Sequence, residues 1–239
     1  PVCGPNVTNM AYTYLNCYNL TGSPVCGNNV TNIAQAYFNC YNLTGSPVCG
    51  DKVVDMGGTY QYCNNLRGNP ACGPNVTNMA YAYQYCYNIT GSPVCGDKVV
   101  DFANAYVYCT NLTGSPACGI RVTDMTNSYR YCTNLTGKPA CGHRVTNMFN
   151  TYVDCYVLTG PVFIEDRVTN LHNTFKRCPN LGGKVRIGTG VTFMNNCFAN
   201  CNSANFKNIY ILSNKISGAN GAFYGIANTT RHNIFIPNT

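Results

Sequence analysis

The sequence contains no tryptophan, three histidines and eight acidic residues, and only 10% of its 239 residues are charged. Acid–base and metal chemistry draw on those residue types, so little material for either is present. No serine or cysteine sits in a motif with a histidine and an acid, and no glycine-rich phosphate loop occurs. The cysteines also lack the CxxC spacing of a zinc knuckle. The sequence therefore predicts no catalytic residue, no metal site and no cofactor, and the chain is expected not to be an enzyme. A run of about 18 apolar residues, needed to span a bilayer as a helix, is missing, so no membrane insertion is expected. Neither an initiator methionine nor a signal peptide precedes Pro1, and the chain is expected to be processed or excised.

Charge is also unevenly supplied. The first 50 residues carry none, residues 1–120 hold three bases and four acids, and residues 121–239 hold twelve bases and four acids, for a net +7. A basic half of this strength allows an anionic partner. It lacks the dense clustering of a nucleic-acid binder, so no nucleic-acid partner is expected.

What is abundant is a repeat. The stretch from Val7 to Gly27, VTNMAYTYLNCYNLTGSPVCG, recurs with substitutions every 23 residues. A fixed period of this length is the mark of a solenoid, whose units bury their apolar faces only by stacking. Val7, Met10, Tyr14 and Cys17 stand at i, i+3, i+7 and i+10, one face of a short helix that Asn9 would cap. The tyrosine column gives way to Phe175, Phe198 and Phe223, which reads as a buried ring whose hydroxyl is dispensable. A strand is expected over Ser23 to Cys26 with Pro24 and Cys26 inward, because Val185 and Ile187 align with them in the Lys184–Ile187 copy.

The expected fold is thus an α/β repeat: a solenoid of about ten strand-helix units with a parallel sheet on one face. Residues 1–239 form one domain, with regular 23-residue repeats over 1–181 and degenerate repeats ending in a C-terminal cap over 182–239.

Seventeen cysteines fall almost entirely into two columns, one from Cys3 to Cys141 and one from Cys17 to Cys201. Ile164 and Ile187 replace the first column while the second persists. Unpaired thiols buried as small apolar groups explain that pattern better than disulfides do.

The run VTNM, an aromatic four residues on, Cys three later and Leu three after that resembles the BspA-type leucine-rich repeats. Ile209–Ile211 and Ile234–Pro237 are similar to that family's Ile-x-Ile-Pro strand, whereas Pro-Val-Cys-Gly departs from it. The resemblance implies a right-handed, leucine-rich-repeat-like β/α solenoid displayed outside the cell, on a bacterial surface or a virion, serving adhesion through protein or cell-surface glycan.

Candidate binding residues follow from columns. Arg121, Arg144 and Arg167 stack like charges one repeat apart, beside Lys138, Lys184 and Arg186, and suit an anionic glycan or a charged protein. Asp124, Asp154 or Asp166 could instead neutralise them. Tyr62, Tyr85, Tyr108 and Tyr131 lie off the core face and suit sugars or protein interfaces. Val2 and Cys3 at one end, with Ile234, Phe235 and Ile236 at the other, are edges for self-association. The function expected is an adhesion or recognition module, or alternatively a structural protein stacking end to end into a fibre or particle appendage.

Overall fold

The structure is a computed structural model, which describes residues 1, 3–202, 205–226 and 233–235. The units do stack at the period of the sequence. Single parallel bridges join Asn9 to Asn32, Asn32 to Asp55 and so on to Phe193 and Gly218, one contact per unit. The strand-helix solenoid expected from the sequence is not what forms. Among the described residues there is no helix, and the only strands are β1 (Gly160–Phe163), β2 (Leu181–Ile187), β3 (Phe206–Ile211) and β4 (Asn233–Phe235). They make one parallel sheet in the order β1-β2-β3-β4. The strands therefore lie from Gly160 onward, in the last regular copies and the irregular end, and the described residues before Gly160 have none.

Backbone hydrogen bonding explains why the helical spacing misleads. In the first unit the amides of Met10, Tyr12, Tyr14 and Asn16 donate to Asn32, Ala34, Ala36 and Phe38 of the next unit, at 2.8 to 3.0 Å. The amides between them turn back within the unit, Thr13 to Met10, Leu15 to Tyr12 and Cys17 to Tyr14, at 3.1 to 3.2 Å. An α-helix would need every one of these donors for its own carbonyl four residues back. Sharing half of them with a neighbour leaves a run of β-turns instead. Asn9 still accepts from the Ala11 amide at 2.9 Å, so the capping side chain is used, on a turn rather than a helix.

These turns need a left-handed residue at two places per unit, five and nine residues after the inward valine. Tyr12 and Asn16, Gln35 and Asn39, and Asn104 and Tyr108 all have φ between 51° and 62°. In the turn from Met10 to Thr13, positive φ at the third residue is the requirement of type II. Asparagine or glycine fills the first place in seven of ten units, from Gly58 to Gly221, and that enrichment is the signal that separates turns from a helix.

The core face is as expected. Met10, Met56, Met79, Phe102 and Leu171 are buried, and ten aromatic rings from Tyr14 to Phe223 stack 5.1 to 5.7 Å apart, tilted by 17° or less. Each buried second-column thiol donates to a carbonyl of the preceding unit, as Cys63 does to Tyr37 at 3.0 Å and Cys86 to Tyr60 at 2.9 Å.

The tyrosine hydroxyls are not dispensable. Val25 N–H donates to the Tyr37 hydroxyl, which donates in turn to the Val25 carbonyl, both at 2.9 Å. Val48 with Tyr60, Ala71 with Tyr83, Val94 with Tyr106, Ala117 with Tyr129 and Ala140 with Tyr152 repeat the arrangement. In all six units a proline, from Pro24 to Pro139, precedes the bridged residue. Proline has no amide proton to give a sheet, so the front segment cannot sit as a central strand. The hydroxyl supplies the partners that a neighbouring strand would have supplied. Where Val162 and Val185 replace proline, Phe175 and Phe198 replace tyrosine, and the front segments become β1 and β2.

Candidate functional site

The arginine column stands immediately before the inward valines, on the exposed side of the chain after the front segment. Its early members are muted: Lys52 donates to Asn29 at 2.8 Å and Lys98 to Asn75 at 2.6 Å, so cation and amide alternate. From Lys98 onward the cations follow one another without a break. Arg121, Arg144 and Arg167 are exposed and have no hydrogen-bond or ion-pair partner among the described residues. Consecutive units bring them to about one strand spacing, ~4.8 Å at the backbone.

None of the three acids expected to neutralise them does so. Asp124 accepts from the Thr126 amide at 2.7 Å and from Asn147 at 3.4 Å. Asp154 is buried on the turn face in a two-point pair with the Arg177 guanidinium. Asp166 pairs with Arg186 at 2.9 Å, and the Thr189 amide together with that guanidinium holds its carboxyl below the usual carboxylate range. Arg144 and Arg167, with Thr123, Thr146 and His143, line a shallow depression of about 500 Å³. A Glu165 carboxylate oxygen lies 3.5 Å from His143.

Other sequence-derived residues are placed differently. Lys138 is exposed, while the Lys184 ammonium sits 4.7 Å above the Tyr210 ring. Arg186 also donates to the Ile164 carbonyl, so it is committed to its own sheet. Tyr62, Tyr85, Tyr108 and Tyr131 stack on one another at 4.7, 5.1 and 4.3 Å. Phe38 closes one end edge-on, and the Arg130 guanidinium lies 5.0 Å from the Tyr131 ring centre. All four tyrosines have φ of 62° to 65°, which costs an L-residue about 1–2 kcal/mol each, and stacking offsets about 0.5–1.5 kcal/mol per pair. Their faces are used up in the ladder, so they make no platform for a sugar ring.

Of the edge residues, Val2 and Ile236 lie outside the described residues, as does the side chain of Ile234. Cys3 is half-buried, and Phe235 stacks on Tyr210 at 4.7 Å.

All seventeen cysteines are free, the first column half-buried and the second, from Cys40 onward, buried. Burial pushes Cys40 and Cys118 up to about 11 and Cys49 and Cys201 up to about 12. Thiols held protonated are poor nucleophiles and poor ligands. Second-column thiols such as Cys86 and Cys109 are therefore expected to resist iodoacetamide in the native protein near neutral pH, and all seventeen to react in denaturant. Mass spectrometry of the alkylated chain checks this, and a shortfall in denaturant would mean disulfides. No group of three or more potential ligands that could hold a metal ion occurs among the described residues, and no helix is long and apolar enough to cross a membrane.

No family model, curated protein or solved structure matches the chain.

Proposed function

We propose that the chain is a non-enzymatic recognition module that binds an anionic glycan along the column Arg121, Arg144, Arg167. The observation that supports this is the lack of any acid partner for three guanidinium groups stacked in successive units. Such a column is unfavourable to hold in the free protein and becomes favourable once a polyanion lies along it. The adjoining Thr123 and Thr146 face the same depression and add polar contacts suited to a sugar backbone. Display on a bacterial surface or a virion is supported by the resemblance of the VTNM repeat alone.

Replacing all three arginines by glutamine is expected to weaken binding to polygalacturonate or heparin at least tenfold. Thermal stability should stay level or rise slightly, since only like-charge repulsion is lost. Added salt should weaken the native interaction. If neither polymer binds the native chain, or the triple variant binds as tightly, the reading fails.

A second reading, end-to-end assembly, is favoured by the repetition of the hydrogen-bond ladder from unit to unit. On the turn face amides of each unit point to carbonyls of the next, from Met10 to Asn32 through Asn200 to Tyr224, while others point back, as Thr31 does to Thr8 and Gly45 to Gly22. Two copies stacked head to tail would continue both sets, as a heterologous, non-closing contact requires. Sedimentation across a concentration range would show growing oligomers, and a strictly monodisperse monomer would rule this reading out.

A further inference from the structure

A second site, on the turn face and independent of the arginine column, arises from one irregular unit. Four and five residues after the inward valine the first five units carry Ala11-Tyr12, Ala34-Gln35, Gly57-Gly58, Ala80-Tyr81 and Ala103-Asn104. Of the ten units, only the third has glycine at both places, and the missing side chains leave a notch of about 310 Å³. That is at the lower end of the range for small-ligand sites.

Tyr12 and Tyr81 form the end walls, three units apart, which is ~14 Å at the strand spacing. They are 57% and 44% exposed, and neither ring has an aromatic or cationic partner among the described residues. Their faces are therefore available, unlike those of the Tyr62 to Tyr131 ladder. The floor is Ala34, Gly57, Gly58 and Ala80.

Polar groups with spare capacity border this floor. Asp55 accepts from the Gly57 amide and from Asn78 through one oxygen, both at 2.9 Å, and its second oxygen has no protein partner among the described residues. The Gln35 side-chain amide has none either. Gln61 donates to Gln84, which leaves its Oε1 turned toward Gly58, 3.4 Å from where a β-carbon would stand there. No lysine or arginine lines the notch.

Aromatic faces set apart over a floor without side chains, with a carboxylate oxygen and two amides between them, match a ligand with apolar C–H faces and a rim of hydroxyls. The absence of a cation among the lining residues disfavours an anionic ligand. We propose that the Gly57-Gly58 notch binds a short neutral oligosaccharide, stacked on Tyr12 and Tyr81 and hydrogen-bonded by Asp55, Gln35 and Gln61.

The repeat itself supplies the test variant. Gly58 has φ 61°, Tyr12 61° and Tyr81 59°, so this backbone accepts tyrosine at the same position in neighbouring units. The nearest obstacle to a β-carbon at Gly58 is the flexible Gln35 side chain, at 3.1 Å. Gly58→Tyr should fill the notch and leave the fold intact.

Isothermal titration calorimetry with cellotetraose, chitotetraose and maltotetraose is expected to show millimolar or tighter binding of at least one by the native chain, insensitive to salt. Gly58→Tyr should abolish that binding and Tyr81→Ala should weaken it about tenfold. The triple arginine variant should bind as the native chain does, which separates this site from the anionic one. If none of the three sugars binds, the proposal is overturned. It is equally overturned if Gly58→Tyr, or Tyr81→Ala should the former not fold, binds like the native protein.

Discussion

Replacing Tyr83 by phenylalanine is expected to destabilise the chain by about 2–4 kcal/mol, although the change removes one oxygen and no packing volume. Among the described residues the hydroxyl is the sole partner of both the Ala71 amide, at 2.9 Å, and the Ala71 carbonyl, at 2.6 Å. Deleting it strands two backbone groups at once, and Pro47, Pro70 and Pro93 prevent the front segments from pairing in its place. The reverse change at the other end of the same column should also destabilise. In Phe198→Tyr the new hydroxyl would arrive behind Arg186, which pairs with Phe163 on one side and Tyr210 on the other. It would be buried with nothing to bond, at a cost of about 1–3 kcal/mol. Guanidinium unfolding of both variants at neutral pH checks this. A neutral Tyr83→Phe would mean that the hydroxyl bridges do not stabilise the chain.

A second large effect is expected on raising the pH. Fifteen of the cysteine thiols are pushed above their ordinary 9.0, chiefly by burial. The buried tyrosines Tyr60, Tyr83, Tyr106, Tyr129 and Tyr152 are raised for the same reason. The folded chain then holds protons that the unfolded chain releases from about pH 9 upward. The stabilising contribution is fully present below that point and is lost as pH rises through the folded values, about 11 for Cys118.

Each fully buried thiol, such as Cys86 or Cys109, removes about 1.4 kcal/mol per pH unit in that window. With the thiols acting together, cooperative alkaline unfolding is expected between about pH 9 and 11, steeper than any single group could give. Circular dichroism against pH, run under reducing conditions, measures it. A chain still folded well above pH 11 would contradict the burial of these columns. Replacing several second-column cysteines by alanine should move the transition to higher pH while lowering stability at neutral pH.

Much of this arrangement was legible without coordinates. The 23-residue register, the inward set of Val, Met, Tyr and Cys, and the exposed cations at 121, 144 and 167 follow from which columns tolerate which residues. The turn ladder was also written in the sequence, as asparagine and glycine at positions such as Gly58, Asn127, Asn150 and Asn196. A spacing of three, four and three residues fits a helix and a run of β-turns equally well, and the apolar pattern outweighed that signal. The notch was legible only as Gly57-Gly58, since nothing in one unit shows that Tyr12 and Tyr81 wall it from other units.

The sequence by itself determined which side chains face inward and which units are equivalent, because a residue's solvent preference is a local property read column by column. Tertiary structure decided who satisfies the backbone. Whether an amide at Tyr12 bonds within its own unit or to Ala34, and whether Val25 is served by a strand or by the Tyr37 hydroxyl, depends on groups 12 to 22 residues away. Those partners are chosen only when the units stack, since leaving a buried donor unpaired costs more than any local propensity contributes.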